Sequence, residues 1–348
     1  MKRQSMVEYG EPLTETDADT PTPEGSEVVV RVSHCGVCHS DIHIHDGHFD
    51  LGDGRQLDVR AGRELPFTLG HEIAGTVEAV GPDVTGIELG QHYAVYPWIG
   101  CGACTLCLRG DEHLCDVTNH LGITVDGGYA THVLVPHPRC LMSTQGLDPT
   151  LAGSYMCSGL TAYSALKKVA PHCAEGPLMI VGLGGVGMMG LQFARALYDT
   201  EILAADIDPA KREAALEAGA AHVFDPADDG ARKAVLKATG GVAASVDFVG
   251  AAASLTFAHG IVRKGGAVVV VGLLGGKFSI PVPMFPLQAL SIIGSFVGSL
   301  NEAREMLDLV RAGKVAPIPV ELRPLDQANT SLDDLRHGDV LGRVVLTP

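Results

Sequence analysis

Four cysteines within fifteen residues are the densest group of potential metal ligands in this chain. Cys101, Cys104, Cys107 and Cys115 follow a C-x2-C-x2-C-x7-C spacing. Four thiolates at this spacing suit one tetrahedral zinc ion, whose coordination sphere is then closed to substrate. The cluster therefore predicts a structural zinc site that fixes a loop and takes no part in chemistry.

A second group of possible ligands is spread along the chain and consists of Cys38, His71 and Cys157. Two sulfurs and one imidazole leave the fourth position of a tetrahedral ion open, as in a catalytic zinc site. Glu72 follows His71 directly and either supports the ligands or reaches the metal itself. Each residue alone is better explained as a buried cysteine or a hydrogen-bonded histidine. Together with the closed cluster, they predict an open metal site.

A glycine-rich motif from Gly182 to Gly187 matches the pattern G-x-G-x-x-G. It follows a predicted apolar strand and opens a predicted helix, so its backbone N–H groups can meet a pyrophosphate at the helix N-terminus. The predicted coenzyme contacts in this motif are Gly182, Gly184, Gly185, Val186 and Gly187. The motif alone is weak evidence, because an ordinary strand–turn–helix connection also uses glycines.

Asp206 lies at the end of the next predicted strand, where dinucleotide-binding proteins place an acidic residue. Its carboxylate can accept hydrogen bonds from the ribose hydroxyls and would repel a 2′-phosphate, which favours NAD over NADP. Asp208 is a rival for this role. The basic residues Lys211 and Arg212 follow closely and weaken the preference, and Lys211 is itself predicted to contact the coenzyme.

A hydroxyl and two imidazoles come directly after Cys38. Ser40 can take a proton from an alcohol beside the metal, and a partly exposed histidine can deliver that proton to water. His39 and His43 are the two histidines of interest here. The segment is expected to be a loop that follows a strand.

The predicted elements change type near residue 155. Before it, short strands alternate with glycine-rich turns, which predicts a β-rich region with metal ligands on its loops. After it, apolar strands alternate with helices, which predicts a parallel, doubly wound sheet. The fold class expected is therefore α/β combined with a β-rich domain.

Length and charge limit the possible functions. The 348 residues predict about two domains. A net charge of −16 without a basic stripe argues against nucleic acid or an anionic membrane as partner. No segment approaches the ~18 apolar residues of a spanning helix. No signal-peptide pattern is present either, so a cytoplasmic protein is expected.

Six of the nine cysteines belong to the two predicted metal sites. Closely spaced cysteines in a reducing compartment are metal ligands more often than disulfides. The other three, Cys35, Cys140 and Cys173, are expected to be small buried hydrophobic residues rather than reactive thiols.

The G-H-E motif at His71, the four-cysteine cluster, G-L-G-G-V-G and C-H-S-D together resemble the zinc-dependent alcohol dehydrogenases of the medium-chain dehydrogenase/reductase superfamily. The resemblance covers nearly the whole chain. It implies a GroES-like, β-rich catalytic domain at 1–155 and a Rossmann NAD-binding domain at 156–294. The tail, 295–348, would return to the catalytic domain.

The resemblance also implies roles at the open metal site. Cys38, His71 and Cys157 would hold the catalytic zinc, and Asp41 would fix the tautomer of His71 by a hydrogen bond. Ser40 would take the proton of the alcohol, and His43 would be the outer end of the relay.

Further implied roles concern the coenzyme. His39 and Arg343 would lie against the pyrophosphate, whereas Thr161 and Val186 would brace the nicotinamide ring. The segment from Gly47 to Glu64 departs from the family's pattern and is expected to be an exposed loop near the open metal.

These features predict an NAD-dependent alcohol dehydrogenase with two zinc ions per subunit, acting on a primary or secondary alcohol and the matching aldehyde or ketone. Cysteine as the third ligand resembles the simple-alcohol branch of the family. Two alternatives remain: a polyol or sugar-alcohol dehydrogenase, and a non-catalytic protein that binds zinc and a dinucleotide. The family forms homodimers or homotetramers, commonly through edge strands of the Rossmann sheet, and 281–296 is a candidate edge. Trp98 either lines the pocket or packs within a loop.

Overall fold

The computed structural model describes residues 1–348, which form eighteen strands and eleven α-helices. The strands are β1 (Lys2–Met6), β2 (Thr14–Asp17), β3 (Val28–Gly36), β4 (His48–Gly52), β5 (Arg55–Asp58), β6 (Phe67–Thr68), β7 (Glu72–Val80), β8 (His92–Val95), β9 (His132–Val135), β10 (Leu141–Ser143), β11 (Leu178–Val181), β12 (Ile202–Ala205), β13 (His222–Phe224), β14 (Val242–Asp247), β15 (Val262–Val270), β16 (Ser291–Gly294), β17 (Val320–Pro324) and β18 (Arg343–Thr347). The helices are α1 (His39–Asp46), α2 (Thr105–Arg109), α3 (Ala152–Ser154), α4 (Leu160–Cys173), α5 (Gly185–Leu197), α6 (Pro209–Glu217), α7 (Ala231–Thr239), α8 (Ala252–Gly260), α9 (Met284–Gln288), α10 (Leu300–Arg311) and α11 (Ala328–His337). No helix combines the length and the hydrophobicity that crossing a bilayer requires.

A six-stranded parallel sheet is built from the middle of the chain, in the order β13-β12-β11-β14-β15-β16. This is the strand order of dinucleotide-binding folds, in which the ligand binds at the carboxyl ends of the strands. Both faces of the sheet are covered: Leu178 and Ile180 pack into the larger core, and Met179 and Val181 into a smaller one. Two buried faces explain why the strand reads as a continuous apolar run.

The second large sheet is built from both ends of the chain. Its strands follow the order β10-β8-β7-β3-β18-β17, and β9 also pairs with β3. The C-terminal strand β18 pairs antiparallel with β3, with Val345 opposite Gly36 and Leu346 opposite Cys35. This pairing brings Arg343, at the start of β18, to Glu72, at the start of β7. The predicted fold class, a GroES-like β-rich domain with a Rossmann sheet, is confirmed.

The segment after Cys38 is helix α1, so the expected loop is wrong. The side chain of Asp41 accepts the backbone N–H of Cys38 at 2.9 Å and caps the first turn. Gly47 ends the helix in the left-handed conformation, with φ 78°. The helix is short and rich in histidine, so it has no apolar period that could reveal it in the sequence.

The segment from Gly47 to Glu64 contains a β-hairpin, β4 paired with β5, rather than only an exposed loop. The ring of Phe49 lies 4.6 Å from that of His43. On its other side the hairpin meets the Rossmann half, where the carbonyl oxygen of Asp50 accepts the N–H of Gly276 at 3.2 Å. The hairpin therefore connects α1 with the loop that follows β15.

Candidate active site

The four sulfur atoms of the cysteine cluster lie at the corners of a small tetrahedron. Sulfur–sulfur distances are 3.5 Å between Cys104 and Cys107, 3.7 Å between Cys104 and Cys115, and 4.0 Å between Cys101 and Cys107. A tetrahedral zinc ion with Zn–S bonds of about 2.3 Å requires sulfurs about 3.8 Å apart. None of the four forms a disulfide. These residues therefore fit a zinc ion without rearrangement.

Backbone N–H groups already stabilise negative charge on these sulfurs. The N–H of Cys104 donates to the sulfur of Cys101, and the N–H groups of Cys101 and Val117 donate to that of Cys115, each at 3.4 Å. Backbone donors of this kind lower the pKa of Cys101 to about 6. A thiolate is the form that binds metal, so the sulfur of Cys101 is prepared to bind a cation.

A second, fully buried cluster joins Cys38, His71, Glu72 and Cys157, whose potential ligand atoms lie within 4.8 Å of one another. Each comes from a different part of the fold. Cys38 precedes α1, and His71 lies just before Glu72 at the start of β7. Cys157 lies in a π-helical turn between α3 and α4. Such a turn widens the helix locally and is frequent at functional sites.

Asp41 orients two of these ligands at once. Its Oδ1 accepts the Nδ1–H of His71 at 3.2 Å and the N–H of Gly70 at 3.2 Å. Its Oδ2 accepts the N–H of Cys38 at 2.9 Å and the hydroxyl of Tyr129 at 3.0 Å. With Nδ1 occupied, the buried Nε2 of His71 has no hydrogen-bond partner and its lone pair is free for a metal.

The two buried cysteines affect each other's ionisation. A hydrogen bond from Cys157 lowers the pKa of Cys38 well below its usual value, against the effect of burial. The same hydrogen bond, together with burial, raises the pKa of Cys157. Two sulfurs and an imidazole nitrogen without a hydrogen-bond partner form a donor set that fits zinc and leaves a fourth position.

Glu72 and Arg343, both predicted at the site, form a buried ion pair. Arg343 Nε donates to Glu72 Oε2 at 2.9 Å, and a second guanidinium N–H donates to Oε1. Ser158 Oγ also donates to Oε1, at 2.7 Å. Arg343 was expected against a pyrophosphate, and its guanidinium does lie beside Gly185 in the first turn of α5.

A cavity of about 480 Å³ lies between the two sheets and is lined by residues predicted for both the metal and the coenzyme. The predicted residues that line it are Cys38, His39, Ser40, His43, Cys157, Thr161, Gly182, Gly184, Gly185, Val186, Gly187, Asp206, Lys211 and Arg343. His71 and Glu72 lie behind Cys38 and Cys157 and are not among the lining residues. Cys38 and Arg343, which are more than 300 positions apart in sequence, thus line the same cavity.

The glycine motif has the shape that a pyrophosphate site needs. Gly182 has φ 87°, a left-handed conformation that favours glycine. A Cβ on Gly187 would lie 1.7 Å from the carbonyl oxygen of Gly182, so only glycine fits there. Asp206 Oδ2 accepts the N–H of Leu183 at 2.7 Å, which ties the motif to the end of β12.

Asp208, the rival of Asp206, and the two basic residues near it form hydrogen bonds within the protein, and Asp208 also lines the cavity. Asp208 caps α6 by accepting the N–H of Ala210 at 2.8 Å. Arg212 donates to the carbonyl oxygen of Asp206 at 2.6 Å and does not line the cavity. Lys211 does line it, while its Nζ donates to the carbonyl oxygen of Gly338 at 2.8 Å.

Several cavity residues were not recognised in the sequence. The apolar ones include Phe248, Val249, Leu273, Leu274 and Phe296. All follow β14, β15 or β16, where a parallel sheet places its ligand, so their position at the carboxyl ends of strands was the available signal. Trp98, for which the sequence left pocket lining and loop packing open, lines the cavity, and its Nε1–H donates to the carbonyl oxygen of Met156 at 2.9 Å.

Two family models match the chain. The alcohol dehydrogenase GroES-like domain matches residues 24–145, and the zinc-binding dehydrogenase model matches residues 185–312. A protein of Sulfurisphaera tokodaii, named NAD-dependent alcohol dehydrogenase, is 37% identical over 350 residues, with both chains fully covered. Another of that name, from Saccharolobus solfataricus, is 36% identical with the same coverage.

Among solved structures, the alcohol dehydrogenase of Aeropyrum pernix superimposes with a TM-score of 0.90 and 31% identity, and each chain is covered completely. The chain therefore belongs to the zinc-dependent alcohol dehydrogenase family of the medium-chain dehydrogenases. This confirms the family that the sequence motifs predicted.

Proposed function

We propose that this protein is an NAD-dependent zinc alcohol dehydrogenase that reversibly oxidises a primary or secondary alcohol to an aldehyde or ketone. The observation that carries the proposal is the shared cavity: the buried Cys38 and Cys157 face the same space as the glycine motif and Asp206. A metal and a nicotinamide on opposite sides of one cavity can hold an alcohol between them. Family membership, with NAD-dependent relatives over the full length, supports the same reaction class.

The residues of the metal cluster provide three ligands and an open position. When bound there, zinc supplies a Lewis acid that makes an alcohol hydroxyl more acidic. Cys38, His71 and Cys157 would hold it, and Asp41 keeps the imidazole in the tautomer whose Nε2 faces the ion. The four-cysteine site would hold a second zinc with a structural role.

Ser40 and His43 can carry the hydroxyl proton of the alcohol from the metal site to solvent. Both line the cavity, one turn apart on α1. Burial and the neighbouring His39 lower the pKa of His43 below its usual 6.5, so the ring is neutral near pH 7 and can accept a proton. We assign Ser40 to accept the alcohol's proton while it releases its own toward His43, and His43 to pass a proton to solvent.

The Rossmann half positions the coenzyme. The glycine motif and the first turn of α5 suit the pyrophosphate, and Asp206 suits the adenosine ribose. Thr161 and Val186 lie along the cavity, where they would brace the nicotinamide. The alcohol carbon gives a hydride to NAD⁺ and the hydroxyl gives its proton to the relay, so the products are a carbonyl compound, NADH and one proton.

The cavity wall favours an apolar alcohol over a polyol. Near the metal cluster the ring of Trp98 lies 5.5 Å from that of His71 and 5.7 Å from that of Phe296. Leu273 and Leu274 also line the cavity. A sugar alcohol would need polar partners for several hydroxyls, because an unpaired buried hydroxyl is costly.

The remaining parts of the proposal concern the domain limits, the oligomeric state and the cellular location. The domain limits proposed are 1–155, 156–294 and 295–348, the last returning to the catalytic domain. A homodimer or homotetramer is proposed, since β16 is an edge strand of the Rossmann sheet and no further strand of the chain pairs with it. A cytoplasmic location is proposed from the thiol-rich metal sites, which need a reducing compartment.

The direct test is NADH formation, followed by absorbance, when zinc-loaded protein is mixed with NAD⁺ and a panel of alcohols. We expect activity with apolar primary or secondary alcohols and much less with sugar alcohols. No NADH from any alcohol, with coenzyme binding intact, would indicate a non-catalytic zinc- and dinucleotide-binding protein. Activity confined to hydroxyl-rich substrates would indicate a polyol dehydrogenase.

A further inference from the structure

Ser158 is a fully buried hydroxyl that follows Cys157 in the π-helical turn. Its Oγ donates to Oε1 of Glu72 at 2.7 Å. Ser158 does not line the cavity, so it touches neither coenzyme nor substrate. Its hydroxyl therefore acts only on the carboxylate beside the metal ligands.

The carboxylate of Glu72 accepts hydrogen bonds from two side chains, and these differ in whether the coenzyme can reach them. Arg343, the first, also lines the cavity and lies beside Gly185, where the phosphates are expected. Nε and Nη2 hold Glu72, whereas Nη1 lies beside Gly185. A pyrophosphate bound at Nη1 would draw the guanidinium toward the glycine motif and weaken its hold on Glu72, because charged oxygens bind arginine strongly. Ser158, the second, does not line the cavity, so no group of the coenzyme would compete for its hydroxyl.

Without the hydrogen bonds from Arg343 and Ser158, the carboxylate of Glu72 would have the metal site as its nearest partner. A Glu72 oxygen lies within 4.8 Å of the ligand atoms of Cys38, His71 and Cys157. Glu72 has no solvent exposure, and a buried charge without a partner is costly. It would therefore turn toward a cation held by those three residues and occupy the position that an alcohol needs.

We propose that Ser158 is a positioning residue that holds Glu72 away from the metal's open position while the coenzyme occupies Arg343. This inference rests on the proposed function, since it requires a metal at the open cluster. Removal of the Ser158 hydroxyl should have its full effect only when NAD⁺ is bound, because Arg343 still holds the carboxylate in the free enzyme.

The test uses Ser158→Ala in protein whose catalytic site carries Co²⁺, since cobalt absorption in the visible range reports the number of ligands. Ser154→Ala is the matched control: Ser154 is just as buried and one turn earlier, and its hydroxyl makes no hydrogen bond. Ser158→Thr retains a hydroxyl and should behave like the wild type. Each variant is recorded with and without NAD⁺, and kcat/KM for an alcohol is measured in parallel.

We expect NAD⁺ to weaken the visible bands of Ser158→Ala cobalt enzyme, as a fifth ligand does, and to leave those of wild type and Ser154→Ala unchanged. The kcat/KM of Ser158→Ala should fall about tenfold, within the range for residues that orient metal ligands. Identical spectra and kcat/KM in Ser158→Ala and Ser154→Ala would overturn the inference. So would a change that is independent of NAD⁺, which would indicate a general packing defect.

Failure of the proposed function gives a different result. If cobalt does not bind the open cluster, the sulfur-to-cobalt absorption of wild type will not change in Cys157→Ser, and both proposals fall. If that absorption weakens in Cys157→Ser and the Ser158 variants still match wild type, only the role of Ser158 is refuted.

Discussion

Asp41 and His71 are joined by a 3.2 Å hydrogen bond from the imidazole Nδ1–H to a carboxylate oxygen, and neither side chain has any solvent exposure. The bond leaves Nε2 as the only free nitrogen of the ring, and this nitrogen lies in the cluster with Cys38 and Cys157. Because Asp41 also caps α1, one carboxylate positions both His71 and Cys38. The geometry of the metal site thus depends on a residue that does not bind the metal.

Replacement of Asp41 by asparagine should therefore weaken metal binding at the open site. The amide removes the negative charge opposite His71. Its N–H₂ group also replaces one of the two oxygens that now accept hydrogen bonds. We expect about a 10- to 100-fold loss of zinc affinity, measured by competition with a chromophoric chelator. Asp58→Asn, on the exposed hairpin strand β5, is the control and should bind zinc as the wild type does. Equal affinities in the two variants would show that Asp41 is not needed to orient the ligands.

Ser40→Ala tests the first step of the proton path. The hydroxyl lines the cavity and is not a metal ligand, so zinc content should be unchanged. Turnover in alcohol oxidation should fall by about 100-fold, the low end for loss of a positioned proton acceptor. Ser40→Thr retains the hydroxyl and should retain most of the activity. A full-rate Ser40→Ala enzyme would remove this residue from the mechanism.

The pH profile tests His43. The neutral ring accepts a proton and the protonated ring cannot, so the contribution of His43 is present above its pKa and lost as pH falls through it. Burial and His39 lower that pKa from its usual 6.5, so the loss should appear only below pH 6.5. In His43→Gln we expect alcohol oxidation at pH 7 to fall about tenfold or more, and the acidic limb of the profile to disappear. An acidic limb that persists unchanged in the variant would assign it to another group.

The parts of the site that local spacing encodes were predictable. The four cysteines lie within fifteen residues and the glycine motif within six, so short-range pattern alone located both. The open ligand set was inferred from ligand types beside the closed cluster and not from spacing, because Cys38 and Cys157 are more than 100 residues apart. Asp206 followed from its place at the end of a strand.

The features of the site that the sequence did not predict depend on contacts between residues far apart in the chain or on a single side-chain cap. Ser158 and Arg343 reach Glu72 across 86 and 271 positions, and nothing near them in sequence marks the pairing. Helix α1 is specified by one side-chain cap rather than by a hydrophobic period. The apolar cavity wall, including Leu273 and Phe296, is known only once the ends of β15 and β16 are placed side by side.

We expect coenzyme preference to depend on Asp206 and its neighbour Ile207, whose side chain is exposed and lines the cavity. Asp206→Gly combined with Ile207→Arg removes the carboxylate and adds a guanidinium that can pair with a 2′-phosphate. We expect kcat/KM to shift from NAD toward NADP. The loss of the 2.7 Å bond to Leu183 should also cost about 1 kcal/mol of stability.

Asp208→Asn is the control for this exchange, because Asp208 caps α6 and asparagine caps helices as well as aspartate does. It should leave the ratio of kcat/KM for the two coenzymes unchanged. The ratio is measured for each protein with one alcohol at saturating concentration. If the double variant keeps the wild-type ratio while Asp208→Asn alters it, the ribose is recognised by Asp208, and Asp206 serves only to hold the glycine motif against β12.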